Sequence, residues 1–122
     1  MKEKILLGGY TKRVSKGVYS VLLDTKAAEL SSLNEVAAVQ NPTYITLDEK
    51  GHLYTCAADS NGGGIAAFDF DGETATHLGN VTTTGAPLCY VAVDEARQLV
   101  YGANYHLEKF VFIRFKLMAH SD

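Results

Sequence analysis

A strand pattern that recurs at about 47 residues constrains this chain more than any other feature. Gly17-Val18-Tyr19 running to Leu22-Leu23-Asp24 reads as a strand closed by an acidic turn, and Gly64-Ile65 running to Phe68-Asp69-Phe70-Asp71 reads the same way. Gly17 and Gly64 are 47 positions apart, as are Asp24 and Asp71. The stretch from Asn41-Pro42-Thr43-Tyr44 to Asp48 recurs as Ala86-Pro87-Leu88-Cys89-Tyr90 to Asp94, its closing aspartates 46 apart. A period in the forties with four short strands per unit is the signature of a β-propeller blade. At that period 122 residues make about two and a half blades, whereas a propeller ring closes with roughly 4–8. The expected fold is therefore all-β: a β-propeller fragment of about two to three four-stranded blades, with the ring not closed.

The expected strands follow from β-branched and aromatic runs bounded by turn residues. They are Lys4–Tyr10, Gly17–Asp24, Glu29–Val39, Thr43–Leu47, Leu53–Ala58, Gly64–Phe70, Thr76–Thr83, Tyr90–Val93 and Leu99–Ala103. Ala27, Ala28, Leu30, Leu33, Val36 and Ala37 also suit a helical face, and the repeat decides for a strand. Asp59–Gly63 is expected to be a glycine-rich hairpin loop, and Asp48–Gly51, Asp71–Glu73 and Asp94–Arg97 tight turns. In an up-and-down meander each strand reverses direction. Thr11–Lys16, Asn41-Pro42, Asp59–Gly63, Thr83–Pro87 and Asn104–His106 then share one rim, the end of a rigid scaffold where sites usually sit.

The net charge of −3 and the lack of a basic stripe give no nucleic-acid footprint. The first residues, Met1 to Gly8, carry an apolar run too short for a signal peptide, and no run reaches membrane-spanning length. A cytoplasmic protein with no membrane or nucleic-acid partner is expected. Cys56 and Cys89 sit in separate strand-like runs and read as buried free thiols. His52 and His77 read as surface strand residues.

The shared rim carries the candidate chemistry. His106, in Asn104-Tyr105-His106, is placed to act as a general acid or base, because imidazole titrates near neutrality; the alternative is a loop histidine bonded to nearby backbone. Lys12, Arg13 and Lys16 form a small basic loop. Arginine suits a two-pronged grip on phosphate or carboxylate, and the alternative is a solvated hairpin. The run Asp59 to Gly64 lacks the Lys-Ser/Thr ending of a phosphate-binding P-loop and reads as a flexible hairpin. No His and carboxylate set has metal spacing, and no Gly-x-Ser-x-Gly elbow occurs.

Gly9 to Tyr19 (with Thr11-Lys12-Arg13), Asn41-Pro42-Thr43-Tyr44, Pro87 to Asp94 and Ala103-Asn104-Tyr105-His106 together resemble the start of the lactonase-family seven-bladed propellers, the 6-phosphogluconolactonase and carboxymuconate-cyclase-like proteins. The resemblance covers about Lys4–Leu107. It implies a hydrolase that opens a sugar lactone, 6-phosphogluconolactone, in the pentose phosphate pathway, without a metal or organic cofactor. His106 matches a family motif position and is the catalytic candidate. Arg13, with Lys12, Asn104 and Tyr105, is the substrate-binding candidate set. Other charged rim residues would lie in later blades, so this chain alone is expected to be inactive.

Residues 1–107 are expected to form the propeller blades and 108–122 an aberrant tail. After Leu107 the repeat calls for a Gly, a short strand and an Asp-Gly turn. The shifted reading frame of the tail codons can supply them, with a Gly forced at Met118-Ala119. One lost base near codon 107 or 108 of a longer coding sequence is the expected origin of the tail. Two further readings compete: a non-catalytic propeller module that binds a ligand or protein on its rim, and a short chain that closes a ring by self-association, against which the open blade edges lead one to expect aggregates or an unfolded monomer.

Overall fold

The computed structural model describes residues 1–83, 88–104 and 109–113. Among them there is no helix, and ten antiparallel strands form three sheets. The first sheet has the order β1-β2-β3, with β1 Lys2–Leu7, β2 Gly17–Asp24 and β3 Glu29–Ala38. The second has β4-β5-β6-β7, with β4 Ile45–Leu47, β5 His52–Asp59, β6 Gly62–Phe70 and β7 Ala75–Thr83. The third has β8-β9-β10, with β8 Tyr90–Asp94, β9 Leu99–Asn104 and β10 Lys109–Ile113. The sheets are consecutive propeller blades, and they do not close into a ring. The helical alternative at residues 27–39 gives way to β3, which pairs along β2 through two register shifts. The expected boundary at 107/108 lies outside the described residues; β10, beyond it, pairs with β9 from Lys109↔Asn104 to Ile113↔Val100.

The turns at one end share a single chemistry. β2, β4, β6 and β8 each end at, or one residue before, an aspartate whose carboxylate accepts backbone N–H groups of the turn, the local bond that makes Asp a turn former. Asp24 caps Lys26 and Ala27 at 3.0 and 3.1 Å, and Asp48 caps Lys50 and His52, both at 2.9 Å. Asp71 caps Glu73 and Thr74, both at 2.8 Å, and Asp94 caps Arg97 at 3.2 Å. At the other end, the expected five-residue hairpin Asp59–Gly63 is shorter. Pairing continues to Asp59↔Gly62, leaving Ser60 and Asn61 as a two-residue connection, with Asp59 capping Asn61 at 2.8 Å.

The core lies between blades. Successive residues of a strand point to opposite faces, and β5 and β6 use both faces. Leu53, Ala57, Ala66 and Phe68 pack with Val18, Val36 and Ala37 of the first sheet. Tyr54, Cys56, Ile65 and Ala67 pack with Val91 and Val100 of the third and with Leu88, just before it. A fully buried Leu, Ile or Val contributes about 1.5–3 kcal/mol. The repeat glycines have a steric reason. A Cβ on Gly17 would collide with the Ala37 carbonyl oxygen, and one on Gly64 with that of Val81.

Two expectations about buried residues need correction. His52 is not a surface residue: it is 2% exposed, because its ring turns inward to a buried carboxylate. Cys89 is not buried: it lies in the bend before β8 and is exposed, whereas Cys56 is buried as expected, and both are free thiols.

Candidate functional site

Lys12 and Arg13 lie on the β1–β2 connection, both exposed. The root of that loop is fixed. The Thr11 N–H and hydroxyl both donate to the Asn41 side-chain oxygen, at 2.9 and 3.0 Å, and the Asn41 N–H donates to the Thr11 hydroxyl at 3.1 Å. This reciprocal set ties the basic loop of the first blade to the start of the second blade's innermost strand. Asn41 takes a left-handed backbone (φ 54°) to make it, which its short amide side chain tolerates. At the loop's far end the Lys16 N–H donates to the Tyr19 hydroxyl at 3.1 Å. The Lys12 ammonium sits 4.9 Å from the Tyr10 ring centroid, a cation–π distance. An apolar groove of about 340 Å³ lies beneath the loop, lined by Leu7, Tyr10, Val14 and Leu33 among others.

Asn104 ends β9, 5% exposed. Tyr105 and His106 lie outside the described residues. The fold thus holds Lys12 and Arg13 together on one loop and places Asn104 at the end of a third-blade strand. Tyr44 precedes β4 and Tyr90 opens β8, the matching strands of adjacent blades, their ring centroids 4.8 Å apart and both exposed.

The opposite rim carries a buried group that sequence reasoning missed. The His52 Nδ1 is 2.7 Å from an Asp48 oxygen, and neither side chain is more than 2% exposed; its Nε2 is 3.7 Å from Asp69, which is partly exposed. Asp48 also caps its own turn, so one carboxylate joins turn and ring. Burial, followed by the charge of Asp48 and a hydrogen bond to it, pushes the Tyr54 hydroxyl above the ordinary tyrosine range. The available sequence signal was an Asp and a His four residues apart across a turn. The next blade repeats the position with Asp94, which accepts from Arg97 at 2.8 Å and from the Tyr101 hydroxyl at 3.2 Å. Those bonds to Arg97 hold the Asp94 carboxyl below the usual range. Among the described residues, no group of three or more His, Cys, Asp or Glu is arranged to hold a metal ion.

The arrangement is thus a fixed cationic loop on one rim and a closed acid–imidazole contact on the other. The first leaves Lys12 and Arg13 exposed. The second is too buried to meet a ligand.

A protein of Lactococcus lactis subsp. cremoris is 91% identical over 107 residues, which are 88% of this chain and 31% of that one. A 6-phosphogluconolactonase of Bacillus subtilis is 37% identical over 106 residues, covering 84% of this chain and 30% of the relative. Among solved structures, a Lactobacillus plantarum protein superposes with a TM-score of 0.89 at 48% identity, over 96% of this chain and 34% of that one. A putative 6-phosphogluconolactonase from Bacteroides uniformis superposes with a TM-score of 0.80 at 27% identity, over 95% and 34%. The chain therefore spans about a third of the length of the relatives it matches. The profile of the family described as "Lactonase, 7-bladed beta-propeller" matches residues 4–119, and with the blade-by-blade structure this places the chain in the seven-bladed propeller lactonase family.

Proposed function

We propose that this chain supplies the first blades of an enzyme that opens a phosphorylated sugar lactone, with 6-phosphogluconolactone as substrate, and that it is inactive without the remaining blades. One observation supports the reading: in a chain of the lactonase family, the Thr11–Asn41 bonds anchor the root of the exposed loop that carries Lys12 and Arg13. A lactone is a neutral ester, so its hydrolysis needs a base for the attacking water and charge stabilisation at the carbonyl oxygen. A phosphate on the sugar adds a dianion that a guanidinium binds through two parallel N–H···O bonds. In this reading Arg13 grips the phosphate and Lys12 adds charge, with Asn104 and Tyr105 completing the contacts. His106 moves the proton. No cofactor is required, and the protein acts in the cytoplasm on a small molecule rather than on nucleic acid or membrane. The open edge of β1 and the exposed Ile5, Leu7, Leu30 and Leu33 make aggregation the expected behaviour of the isolated chain.

The test is turnover by a chimaera that completes this chain with the remaining blades of the 91%-identical relative. Loss of the charge-assisted phosphate contact in Arg13→Ala should raise KM for the phosphorylated lactone about 10- to 100-fold and leave unphosphorylated gluconolactone nearly unchanged. His106→Ala should lower kcat about 100-fold or more on both. Equal effects of Arg13→Ala on both lactones would remove the phosphate assignment. A chimaera that folds and turns over neither would favour a non-catalytic rim-binding module.

A further inference from the structure

The second and third blades each bring one thiol to their common interface. Cys56 lies on β5, on the face turned toward the third sheet, and packs in one cluster with Leu88 and Val91. Cys89 lies between those two residues. Val91 faces the second sheet, and Cys89 lies close enough to Cys56 for its charge to act on that thiol. Two further contacts hold the pair together. The Cys56 N–H donates to the Tyr44 carbonyl at 3.0 Å, and the Tyr44 ring packs on Tyr90, the residue after Cys89. The Cys89 thiol is exposed, 3.4 Å from the Ala103 carbonyl oxygen, while Cys56 is 0% exposed. One thiol is open to solvent, and the other lies behind it in the core.

We propose that Cys89 is an oxidation site and Cys56 its resolving thiol, so that a hydroperoxide converts the pair into a disulfide joining the second and third blades. In the first step the Cys89 sulfur attacks the peroxide. The O–O bond breaks, an S–O bond forms, and the products are Cys89 sulfenic acid and an alcohol, or water from hydrogen peroxide. In the second, the Cys56 sulfur attacks the sulfenic sulfur. An S–S bond forms, the S–O bond breaks, and the oxygen leaves as water with the Cys56 proton. The two thiols are oxidised and the peroxide is reduced. The environment of Cys56 sets the rate of the second step. Burial first, and then the charge of Cys89, push its thiol up to about 11, so little thiolate is present at neutral pH. Burial still acts once Cys89 is a neutral sulfenic acid, so resolution is slow at pH 7 and accelerates as pH rises.

The experiment is treatment of the chain with hydrogen peroxide at several pH values, followed by non-reducing peptide mapping. The expected product is a monomer lighter by two hydrogen atoms, with the Cys56 and Cys89 peptides joined, formed faster as pH rises and much faster in buffer than in concentrated urea. Cys89→Ser should abolish the link and leave Cys56 reduced. Cys56→Ala should leave a Cys89 sulfenic acid that dimedone traps. Three results would overturn the proposal: over-oxidised Cys89 beside reduced Cys56, a disulfide between two Cys89 residues of separate chains, or a link that forms equally fast in urea. The wild-type map decides the matter even if Cys56→Ala fails to fold.

Discussion

The first and second sheets come from the same repeat, yet they are buried in different ways. In β5, at the heart of the second sheet, Leu53, Tyr54, Thr55 and Cys56 are all 0% exposed. In β1, which pairs with β2 as β5 pairs with β6, Ile5 is 36% and Leu7 45% exposed. On β3, Leu30 and Leu33 are about two-thirds exposed. The apolar residues are present in both sheets. The difference is neighbours: among the described residues, the second sheet has a blade on each face and an inner strand, β4, on its edge, and the first has a blade on one face only. A blade is thus a strand-pairing unit whose burial is supplied by the blades beside it, as expected where each repeat contacts only its neighbours.

The sharpest way to break this comparison is a matched pair of truncations. Leu53→Ala empties a space enclosed by two sheets and should cost about 3 kcal/mol in denaturant unfolding. Leu33→Ala should stay within about 0.5 kcal/mol, as surface substitutions do. Equal losses would mean that the first sheet is packed on both faces after all. Next in size is Asp48→Ala, which leaves the buried His52 ring and two turn N–H groups without their acceptor and should cost about 2–3 kcal/mol. The same change at Asp94, whose arginine partner is exposed, should cost clearly less in the same unfolding curves. Gly17→Ala and Gly64→Ala sharpen the comparison from the other side. Both set a Cβ against a carbonyl of the next strand, a property of the repeat rather than of burial, so each should lose about 2 kcal/mol.

The smallest effects are in pH. Tyr54 and Cys56 titrate higher folded than unfolded, so their contribution is complete below their ordinary values of 10.0 and 9.0 and fades as pH rises past them. Asp59, Asp71 and Asp94 are held low, chiefly by the backbone of Asn61, the backbone of Thr74 and the side chain of Arg97. Their contribution is complete above 3.8 and is lost as pH falls through the folded values. Thermal melts across pH should show both limbs. Cys56→Ala should flatten part of the loss between pH 9 and about 11, and Asp71→Asn part of the acid loss.

The repeat made most of the strands legible, because alternation and turn residues act locally. It correctly chose a strand at Glu29–Ala38, where alanines and leucines also suit a helix. It did not show that β4 is only Ile45–Leu47, since Asn41 and Thr43 are taken up in the turn that precedes it. Nor did it show that His52 turns inward, because the Asp48 contact arises only when the turn closes. Cys89 looked like a strand residue, and the bend before Tyr90 leaves it exposed. For the candidate site, the basic loop was legible as exposed charge, but the lock that fixes it joins Thr11 to Asn41, 30 positions away, and no local pattern encodes that pairing.

Amide hydrogen exchange resolved by strand tests the dependence of each blade on its neighbours most directly. The account predicts the slowest exchange in β5 and β6, from Leu53 to Ala57 and from Ile65 to Phe68, with β1 exchanging fastest among the paired strands. Equal protection of β1 and β5 would contradict it, because a blade would then be stable without neighbours on both faces.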